Sequence, residues 1–488
     1  MSIDAASIVR GESLERLTVS IRNSFAAIEK RWPGMLDYGE VPLRGAMERR
    51  AYQEALLDAG RLETLADVIG DRADFSEWLP QQRSRWHADG IWGYLKAWAR
   101  LIFYGLLRAG GQGDERDRAS GPEFVFCALR PRFVNFFRPI IEQLGSHRCA
   151  VVCEAGYGVE TEAGRHGLAV CKRQSARLQF HRVRRPPAAM FPLYSVAIVD
   201  FLRALGTLRR CRPRAVVFAE AASFPEEIIA RAARALGIAT VRVQYGRAGV
   251  ISPGYYHMPY DKMLMWGDGF VDRIKRVSPD CRYIVTGSPL MDKVMKTGLS
   301  KRLGLFAEDK PMISVISQPE CASISRQDYA SLVAIIDRVL QAGVDINVLV
   351  RLHPADKATD FAQLANQWPD RMRVTTAQEL PLDTVIGESV MVTGLYSTVL
   401  SEAAASGVLP VVIRLGERHV IFPSPEEQGA AALASSQDEA VAIICRLAAD
   451  TAARSEYRDG MSAFARRYFG PLDGGAVARI AKHIENPT

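Results

Sequence analysis

One stretch of the chain, residues 390–413, constrains its fold more than any other. It reads VMVTGLYSTVLSEAAASGVLPVVI: a short apolar run, a turn at Thr393 and Gly394, a helical segment ended by Gly407, and a second apolar run. Short apolar runs separated by a helix are typical of a parallel sheet, whose strands need a crossover connection. The stretch therefore predicts a strand–turn–helix–strand unit in an α/β domain.

The same alternation of apolar runs and helical segments extends through most of the chain. It begins at residue 124 and restarts near residue 311, which predicts two α/β domains that face a cleft, each with a parallel sheet and helices on both faces. The polar, glycine-rich stretch 110–121 marks the boundary that precedes them. The predicted organisation is a helical N-terminal region (1–115), an N-terminal Rossmann-like domain (120–300), a C-terminal Rossmann-like domain (301–470) and a C-terminal helix (471–488) that crosses back to the first of these domains.

Three segments of the N-terminal region have helical periodicity: 12–31, 44–66 and 91–108. The last combines five aromatic residues with Lys96, Arg100 and Arg108, and so favours an interfacial helix on an anionic membrane. The alternative is a helix packed against the rest of the protein with its basic side in water. A second basic segment, 172–185, suits an anionic sugar or glycan, or is a solvated loop.

Composition limits the classes of partner. The chain has 488 residues, a formal net charge of +7 and a pI near 9.0, which favours anionic partners. It lacks the aromatic, zinc-binding and basic-arm signatures of nucleic-acid binding, so we expect no nucleic acid. The eight cysteines form no C-x-x-C pair, and the N-terminus has no apolar signal segment. We expect a cytoplasmic protein with reduced thiols, peripheral on the inner membrane if the helix at 91–108 binds lipid.

The helix start at Ser397 and Thr398 is the first candidate binding feature. Both residues are good caps, and a helix N-terminus beside the end of a strand favours a phosphate group. Glu402 lies about one helical turn after Thr398, so both can face one ligand. Gly394, in the turn before them, allows the backbone to approach that ligand.

The second candidate is the sequence Arg351-Leu352-His353-Pro354, directly after an apolar strand. Ligands of parallel sheets bind outside the carboxyl ends of strands. There His353 can donate to a phosphate and stabilise a departing nucleotide, Arg351 adds a fork of donors, and Pro354 fixes the turn. The alternative is a histidine whose hydrogen bonds are satisfied locally.

Two glycine-containing turns follow other strands. Gln244, Gly246 and Arg247 can approach an anion, or form an ordinary turn at the edge of a domain. Gly287 and Ser288 can face the donor, or simply carry the chain from the first domain to the second.

Two acidic residues end apolar strands and are candidate general bases. Glu220 follows the run 215–219 and Glu154 follows 149–153. Each can instead cap a helix or pair with a basic neighbour. The scattered histidines argue against a zinc site, and no D-x-D motif is present, which argues against a metal held by paired aspartates. The sequence therefore predicts no metal and no cofactor.

The order of these motifs resembles GT-B-fold transferases of bacterial surface polysaccharides. These include capsule-type Kdo transferases, bacterial sialyl- and polysialyltransferases, and the glycerophosphotransferases of teichoic acid synthesis. The resemblance covers about residues 120–485 and rests on four motifs: Gln244-Tyr245-Gly246, Thr286-Gly287-Ser288-Pro289, His353-Pro354, and Ser397-Thr398 with Glu402. Many relatives have histidine where this chain has Tyr245.

The resemblance implies a metal-independent glycosyltransferase. In these groups the His-Pro and serine motifs hold the nucleotide phosphate of the donor, and an acidic residue of the N-terminal domain activates the acceptor. By resemblance, His353, Ser397 and Thr398 bind the donor and Glu220 is the base. The expected donor is a CMP-linked acidic sugar such as Kdo or a sialic-acid-like sugar, and the expected acceptor is a bacterial surface glycan or glycolipid. The alternatives are a non-hydrolysing UDP-sugar 2-epimerase, a polyol-phosphate transferase, and a non-catalytic scaffold of a polysaccharide assembly complex.

Overall fold

The computed structural model describes most of the chain, and the account below concerns these residues alone: 11–59, 91–107, 121–153, 158–171, 173–186, 190–219, 223–246, 251–292, 304–307, 310–318, 324–353, 356, 359–376, 378–395, 397–415 and 422–487.

The helices are α1 (Gly11–Arg31), α2 (Arg44–Ala59), α3 (Ile91–Leu107), α4 (Pro131–Leu144), α5 (Val159–Arg165), α6 (Phe191–Cys211), α7 (Phe224–Ala235), α8 (Asp268–Lys275), α9 (Arg326–Gln341), α10 (Thr359–Gln367), α11 (Leu382–Glu388), α12 (Thr398–Ala405), α13 (Gln437–Ala449), α14 (Thr451–Ser455), α15 (Arg458–Phe469) and α16 (Ala476–Glu485).

The strands are β1 (Asp37–Tyr38), β2 (Val41–Pro42), β3 (Phe124–Cys127), β4 (Cys149–Val152), β5 (Ala169–Val170), β6 (Ala215–Ala219), β7 (Ala239–Val243), β8 (Lys262–Met265), β9 (Arg282–Val285), β10 (Met312–Ile316), β11 (Asn347–Arg351), β12 (Met372–Thr375), β13 (Met391–Gly394), β14 (Leu409–Ile413) and β15 (Ala432–Ala434).

Two parallel sheets organise the described chain. The first has the strand order β5-β4-β3-β6-β7-β8-β9, and the second has the order β12-β11-β10-β13-β14-β15. Every residue of β3, β6, β10 and β14 is buried, as expected for strands covered by helices on both faces. The predicted fold class, two α/β domains with parallel sheets, is confirmed for each sheet by itself.

The chain divides into two compact units. The first unit contains the first sheet and comprises Glu12–Met265, Phe270–Val285 and Val477–Thr488. The second unit contains the second sheet and includes Trp266–Gly269 and Thr286–Ala476. Helices α1, α2 and α3 thus belong to the same compact unit as the first sheet, although the sequence suggested a separate N-terminal region.

Helix α6 is the central helix of the first unit. Among the described helices it alone is long and apolar enough to cross a membrane, yet 83% of its most apolar 18-residue window is buried inside the protein. It packs against α3 and α7, and this burial is typical of a core helix.

The stretch 158–171, directly before the basic segment 172–185, has regular structure. It contains the short helix α5 and the two-residue strand β5, which pairs with β4 at the edge of the first sheet. Such short elements have too few residues to give a periodic pattern, and for this reason the sequence did not predict them.

Candidate functional site

The second sheet changes its direction of winding between two central strands. The chain runs outward from β10 to β11 and β12, and then from β13 to β14 and β15 in the opposite direction. The carboxyl ends of β10 and β13 are neighbours, with Ile316 paired to Gly394. In open parallel sheets a ligand binds in the crevice at such a switch point.

Gly394 permits the close approach of the two strands at this point. A Cβ atom at this position would lie 2.9 Å from the carbonyl oxygen of Ile316, closer than real Cβ contacts allow. The absence of a side chain therefore brings the turn before α12 directly against the end of β10.

Ser397 begins α12 at the switch point. Its Oγ accepts a hydrogen bond from the backbone N–H of Val399 at 3.2 Å, so Ser397 is the N-cap. Thr398 was also expected to be a cap, but it is the first helical residue and its side chain is exposed. The helix thus presents its N-terminus and one exposed hydroxyl beside the strand end.

His353 lies on the turn after β11, the strand adjacent to β10, and its side chain is exposed. Its backbone N–H donates to Ser317 Oγ at 3.1 Å, and its carbonyl accepts from the N–H of Asp356 at 2.8 Å. Since β11 and β13 both flank β10, the backbones of the His353 and Ser397 turns are about 10 Å apart, two strand spacings. That separation fits a ligand that contacts both turns.

A hydroxyl–carboxylate network holds the turn after β11. Ser317, the first residue after β10, donates from Oγ to Asp356 Oδ2, and its N–H donates to the carbonyl of Arg351 at 3.1 Å. Tyr329 of α9 donates to Asp356 Oδ1 at 3.3 Å. Burial, and then the nearby carboxylates of Asp356 and Asp360, raise the pKa of Tyr329, so its hydroxyl stays protonated.

The sequence patterns did not reveal Ser317, Asp356 and Tyr329. Two of them carry a local signal: Ser317 is a polar residue directly after an apolar strand, and Asp356 follows His353 by three residues. Tyr329 shows no such signal, because its position depends on how α9 packs beside the turn.

Arg351 ends β11 and is half-buried, and its Nε has no hydrogen-bond partner within the described part of the chain. Burial lowers the pKa of Arg351, whereas the carboxylates of Glu402 and Asp383 raise it. The carboxylate of Glu402 therefore acts electrostatically on Arg351, and the membership of both residues in one site stays a prediction. Arg351 remains a cation at the sheet edge, suited to an anionic ligand.

Gly287 and Ser288 belong to the second unit and pack against the end of α15 in the same unit. Ser288 is buried and its N–H donates to the carbonyl of Phe469 at 3.2 Å. A Cβ atom on Gly470 would lie 2.9 Å from the Cα of Gly287. These contacts fix the backbone of both residues, but Ser288 Oγ is buried without a hydrogen-bond partner among the described residues, so donor binding by Gly287 and Ser288 stays a prediction.

Gln244 and Gly246 follow β7 in the first unit. Gln244 is fully buried, and its Nε2 donates to the carbonyl of Gly246 at 3.0 Å. Tyr245 packs edge-on against Phe133 and Phe136 of α4, with ring centroids 4.8 and 5.0 Å apart. These contacts close the turn, which favours the interpretation of an ordinary turn for Gln244 and Gly246.

Four predicted site residues lie outside the described residues: Glu220, Glu154, Pro354 and Arg247. Glu220 follows β6, which adjoins β3 at the switch point of the first sheet. The assignment of a general base to Glu220 or Glu154 therefore stays a prediction, as does the absence of a metal from the reaction.

Comparisons with known proteins identify the fold. No protein-family model and no curated protein matches the chain. The UDP-GlcNAc 2-epimerase from Neisseria meningitidis, solved with bound UDP-GlcNAc, is similar with a TM-score of 0.51 and 12% identity over 74% of this chain and 99% of the epimerase. A UDP-N-acetylglucosamine 2-epimerase from Listeria monocytogenes, described as putative, is similar with a TM-score of 0.52 and 12% identity over 75% of this chain and 96% of that protein. MurG from Acinetobacter baumannii is similar with a TM-score of 0.45 and 13% identity over 75% of this chain and 100% of MurG.

The structurally similar proteins thus include UDP-GlcNAc 2-epimerases and glycosyltransferases. At these sequence identities the likeness concerns the fold alone. The fold is GT-B-like, as the sequence resemblance implied.

Proposed function

We propose that this protein is a glycosyltransferase that binds a nucleotide-activated sugar at the switch point of its second unit. The observation that carries the proposal is the contact between Gly394 and Ile316, which places the N-terminus of α12 against the end of β10. Arg351 ends β11, the strand on the other side of β10, and His353 lies on the turn that follows. A helix N-terminus, an exposed hydroxyl and a guanidinium are donors suited to the phosphate of a nucleotide.

In the proposed reaction an acceptor hydroxyl attacks the anomeric carbon of the donor sugar. The bond from that carbon to the phosphate oxygen breaks, and negative charge develops on the departing nucleotide. His353, Arg351 and the N-terminus of α12 would stabilise that charge, which is greater in the transition state than in the bound donor. Glu220, or Glu154 in its place, would take the proton of the acceptor hydroxyl.

The finer proposal for the substrates comes from the sequence. The donor is a CMP-linked acidic sugar, such as Kdo or a sialic-acid-like sugar, and the acceptor is a bacterial surface glycan or glycolipid at the inner face of the membrane. UDP-GlcNAc is the ligand in one similar solved structure, so UDP is the competing nucleotide. The proposed reaction requires neither a metal nor a further cofactor.

A thermal-shift screen tests the nucleotide site directly. The purified full-length chain is heated with CMP, CDP, UDP or GDP, and a ligand that binds only the folded protein raises the midpoint of unfolding. We expect CMP to give the largest shift. A larger shift with UDP contradicts the CMP donor but supports the nucleotide site, whereas no shift with any of the four contradicts both.

A pair of glycine variants locates the binding. Gly394→Ala places a Cβ against the carbonyl of Ile316, so we expect it to abolish the nucleotide-induced shift. Gly387→Ala in α11 is the matched control, because a Cβ added there meets no atom within 4 Å; it should keep the shift and add up to about 1 kcal/mol of stability. Circular dichroism checks that Gly394→Ala folds. A folded Gly394→Ala protein with an unchanged nucleotide shift contradicts this location.

The second candidate function is a UDP-sugar 2-epimerase. It is favoured by the two epimerase structures described above, whose TM-scores exceed 0.5. Transfer is the first proposal because the order of the His353-Pro354 and Ser397-Thr398 motifs resembles that of the transferases named above. Incubation with UDP-GlcNAc and no acceptor separates the two: appearance of the C2 epimer supports the epimerase and contradicts the transferase.

A further inference from the structure

Most of the large exposed apolar side chains of the described chain lie on one face of the first unit. Helix α3 exposes Trp92, Leu95, Ile102, Phe103 and Leu106, of which Phe103 is 65% exposed and Leu106 is 73% exposed. We call these five side chains, together with Phe180, the α3 surface. An apolar patch of this extent on a folded protein indicates an interaction site.

The opposite face of α3 is fixed to the protein. Ala97, Leu101 and Tyr104 are buried, and the rings of Tyr94 and Trp98 each lie 4.9 Å from the ring of Phe191 on α6. Helix α3 therefore cannot turn its exposed stripe inward without losing these contacts.

Phe180 joins the α3 surface from a separate segment. A Cβ on Gly105 of α3 would lie 3.1 Å from the Phe180 ring, and Tyr104 donates from its hydroxyl to the carbonyl of Ala176 at 3.1 Å. The residues around Phe180 thus run beside the C-terminal half of α3. Phe180 itself is 48% exposed.

Cations outnumber carboxylates around the α3 surface in the part of the chain that the structure describes. No aspartate or glutamate occurs in α3 or anywhere in residues 163–199. Lys96 of α3 is exposed, and so are four arginines of the segment that carries Phe180: Arg177, Arg182, Arg184 and Arg185. Among the described residues, two carboxylates act on this region: Asp200, near Arg100, forms an ion pair with Arg203 at 3.0 Å, and Asp37 lies near Arg184. An apolar stripe bordered by cations is complementary to an anionic lipid surface.

We propose that the α3 surface docks this protein on an anionic lipid bilayer, with α3 parallel to the membrane plane. Its 17 residues extend about 25 Å, short of the ~30 Å hydrocarbon core, and it carries Lys96 and Arg100, so it does not span the bilayer. Phe103, Leu106 and Phe180 enter the interfacial region, Trp92 lies at headgroup level, and the arginines contact lipid phosphates. This proposal does not depend on the proposed enzymatic function.

Vesicle flotation with the full-length chain tests the apolar contribution. The vesicles are phosphatidylcholine alone, or phosphatidylcholine with 40% phosphatidylglycerol. We expect at least tenfold tighter binding to the anionic vesicles, and at least a tenfold loss in the variant Phe103→Ser/Leu106→Ser. Leu290→Ser is the matched control, because Leu290 is an exposed apolar residue of the second unit, and it should bind like the wild type.

A charge-reversal pair tests the electrostatic contribution. Arg177→Glu/Arg185→Glu should weaken binding to the anionic vesicles at least tenfold, whereas Arg446→Glu, an exposed arginine of α13, should not. Unchanged thermal unfolding in all variants shows that the fold persists. Equal binding to both vesicle types, or full binding by Phe103→Ser/Leu106→Ser, overturns the proposal. So does a wild-type dimer in sedimentation that this apolar variant converts to monomer, since a second copy would then cover the surface.

Discussion

At the scale of single residues, Ser317 connects two strand ends of the candidate site. Its Oγ accepts the backbone N–H of His353 and donates to Asp356, so one hydroxyl ties the turn after β11 to the end of β10. Loss of either of these hydrogen bonds would loosen the turn that presents His353.

Ser317→Ala is therefore expected to lower the free energy of unfolding by about 1–2 kcal/mol, because the His353 N–H and the Asp356 carboxylate lose a partner. It should also raise the Kd of the preferred nucleotide about tenfold, or ~1.4 kcal/mol. Isothermal titration calorimetry measures the Kd, and urea unfolding measures the stability.

Ser406→Ala is the control for this change. Ser406 Oγ donates to the carbonyl of Glu402 at 2.7 Å, at the far end of α12 from the switch point. Its loss should leave the nucleotide Kd unchanged. If Ser317→Ala binds nucleotide as tightly as the wild type, Ser317 does not position the site.

The sequence shows strand ends well and the contacts between them poorly. His353 and Ser397 could be placed at the same sheet edge because each follows an apolar run. The hydrogen bond from Ser317 to Asp356 could not be predicted from the sequence. It depends on β10 lying between β11 and β13, and local periodicity does not encode this strand order. Likewise, the packing of Gly287 against Gly470 joins residues almost two hundred positions apart.

At the scale of elements, a buried ion pair attaches α2 to the first unit. Arg49 of α2 and Glu227 of α7 are 1% and 2% exposed, and their charged atoms are 2.7 Å apart. Arg49 also donates to the carbonyl of Gly254 at 2.5 Å, and Glu227 pairs with Arg231. The sequence predicted α2 by its periodicity, but nothing in that pattern distinguished the buried Arg49 from the half-buried Arg44 and Arg50.

Arg49→Met should destabilise the protein by about 3–5 kcal/mol, because it leaves the carboxylate of Glu227 buried with one cation fewer. Urea unfolding followed by circular dichroism measures the change. Arg44→Met is the comparison on the same helix: Arg44 pairs with the buried Glu48 but is itself 29% exposed, and Glu48 keeps Arg22 at 4.0 Å, so its loss should cost less than the loss of Arg49.

A double variant separates the ion pair from the packing of the arginine stem. Arg49→Met/Glu227→Gln removes both members of the pair, so it should recover part of the stability that Arg49→Met loses. Equal stability of the Arg49→Met and Arg44→Met proteins would show that the pair does not hold α2 in place.

At the scale of the whole molecule, the chain returns to the first unit at its end. Helix α16 contributes Glu485, which accepts from Arg148 at 2.8 Å, and Lys262 donates to the carbonyl of Asn486 at 2.7 Å. The sequence predicted a C-terminal helix that crosses back to the first domain. Periodicity alone does not show which residues contact α16, because they come from segments more than two hundred residues earlier.

Glu123 makes this attachment of α16 sensitive to acid. Two nitrogens of Arg148 donate to its carboxylate at 2.8 and 3.0 Å, and Arg214 adds a bond at 3.3 Å. The hydrogen bonds from Arg148, and then those from Arg214, lower the pKa of Glu123 to about 2. In the unfolded chain this carboxyl titrates near its ordinary value of 4.5. Because the folded pKa is the lower one, the stabilisation is present above pH ~4.5 and is lost as the pH falls toward ~2.

Replacement of Glu123 by an uncharged residue tests this pH dependence of stability. Glu123→Gln should unfold at a lower urea concentration than the wild type at pH 7. The difference in free energy of unfolding between the two proteins should shrink between pH 4.5 and 2. Circular dichroism in urea titrations at each pH measures both. Glu142→Gln controls for the loss of one negative charge, because Glu142 forms an exposed i,i+4 pair with Arg138 on α4. A gap between wild type and Glu123→Gln that stays constant across this pH range would show that the Arg148 contacts do not depress the Glu123 pKa.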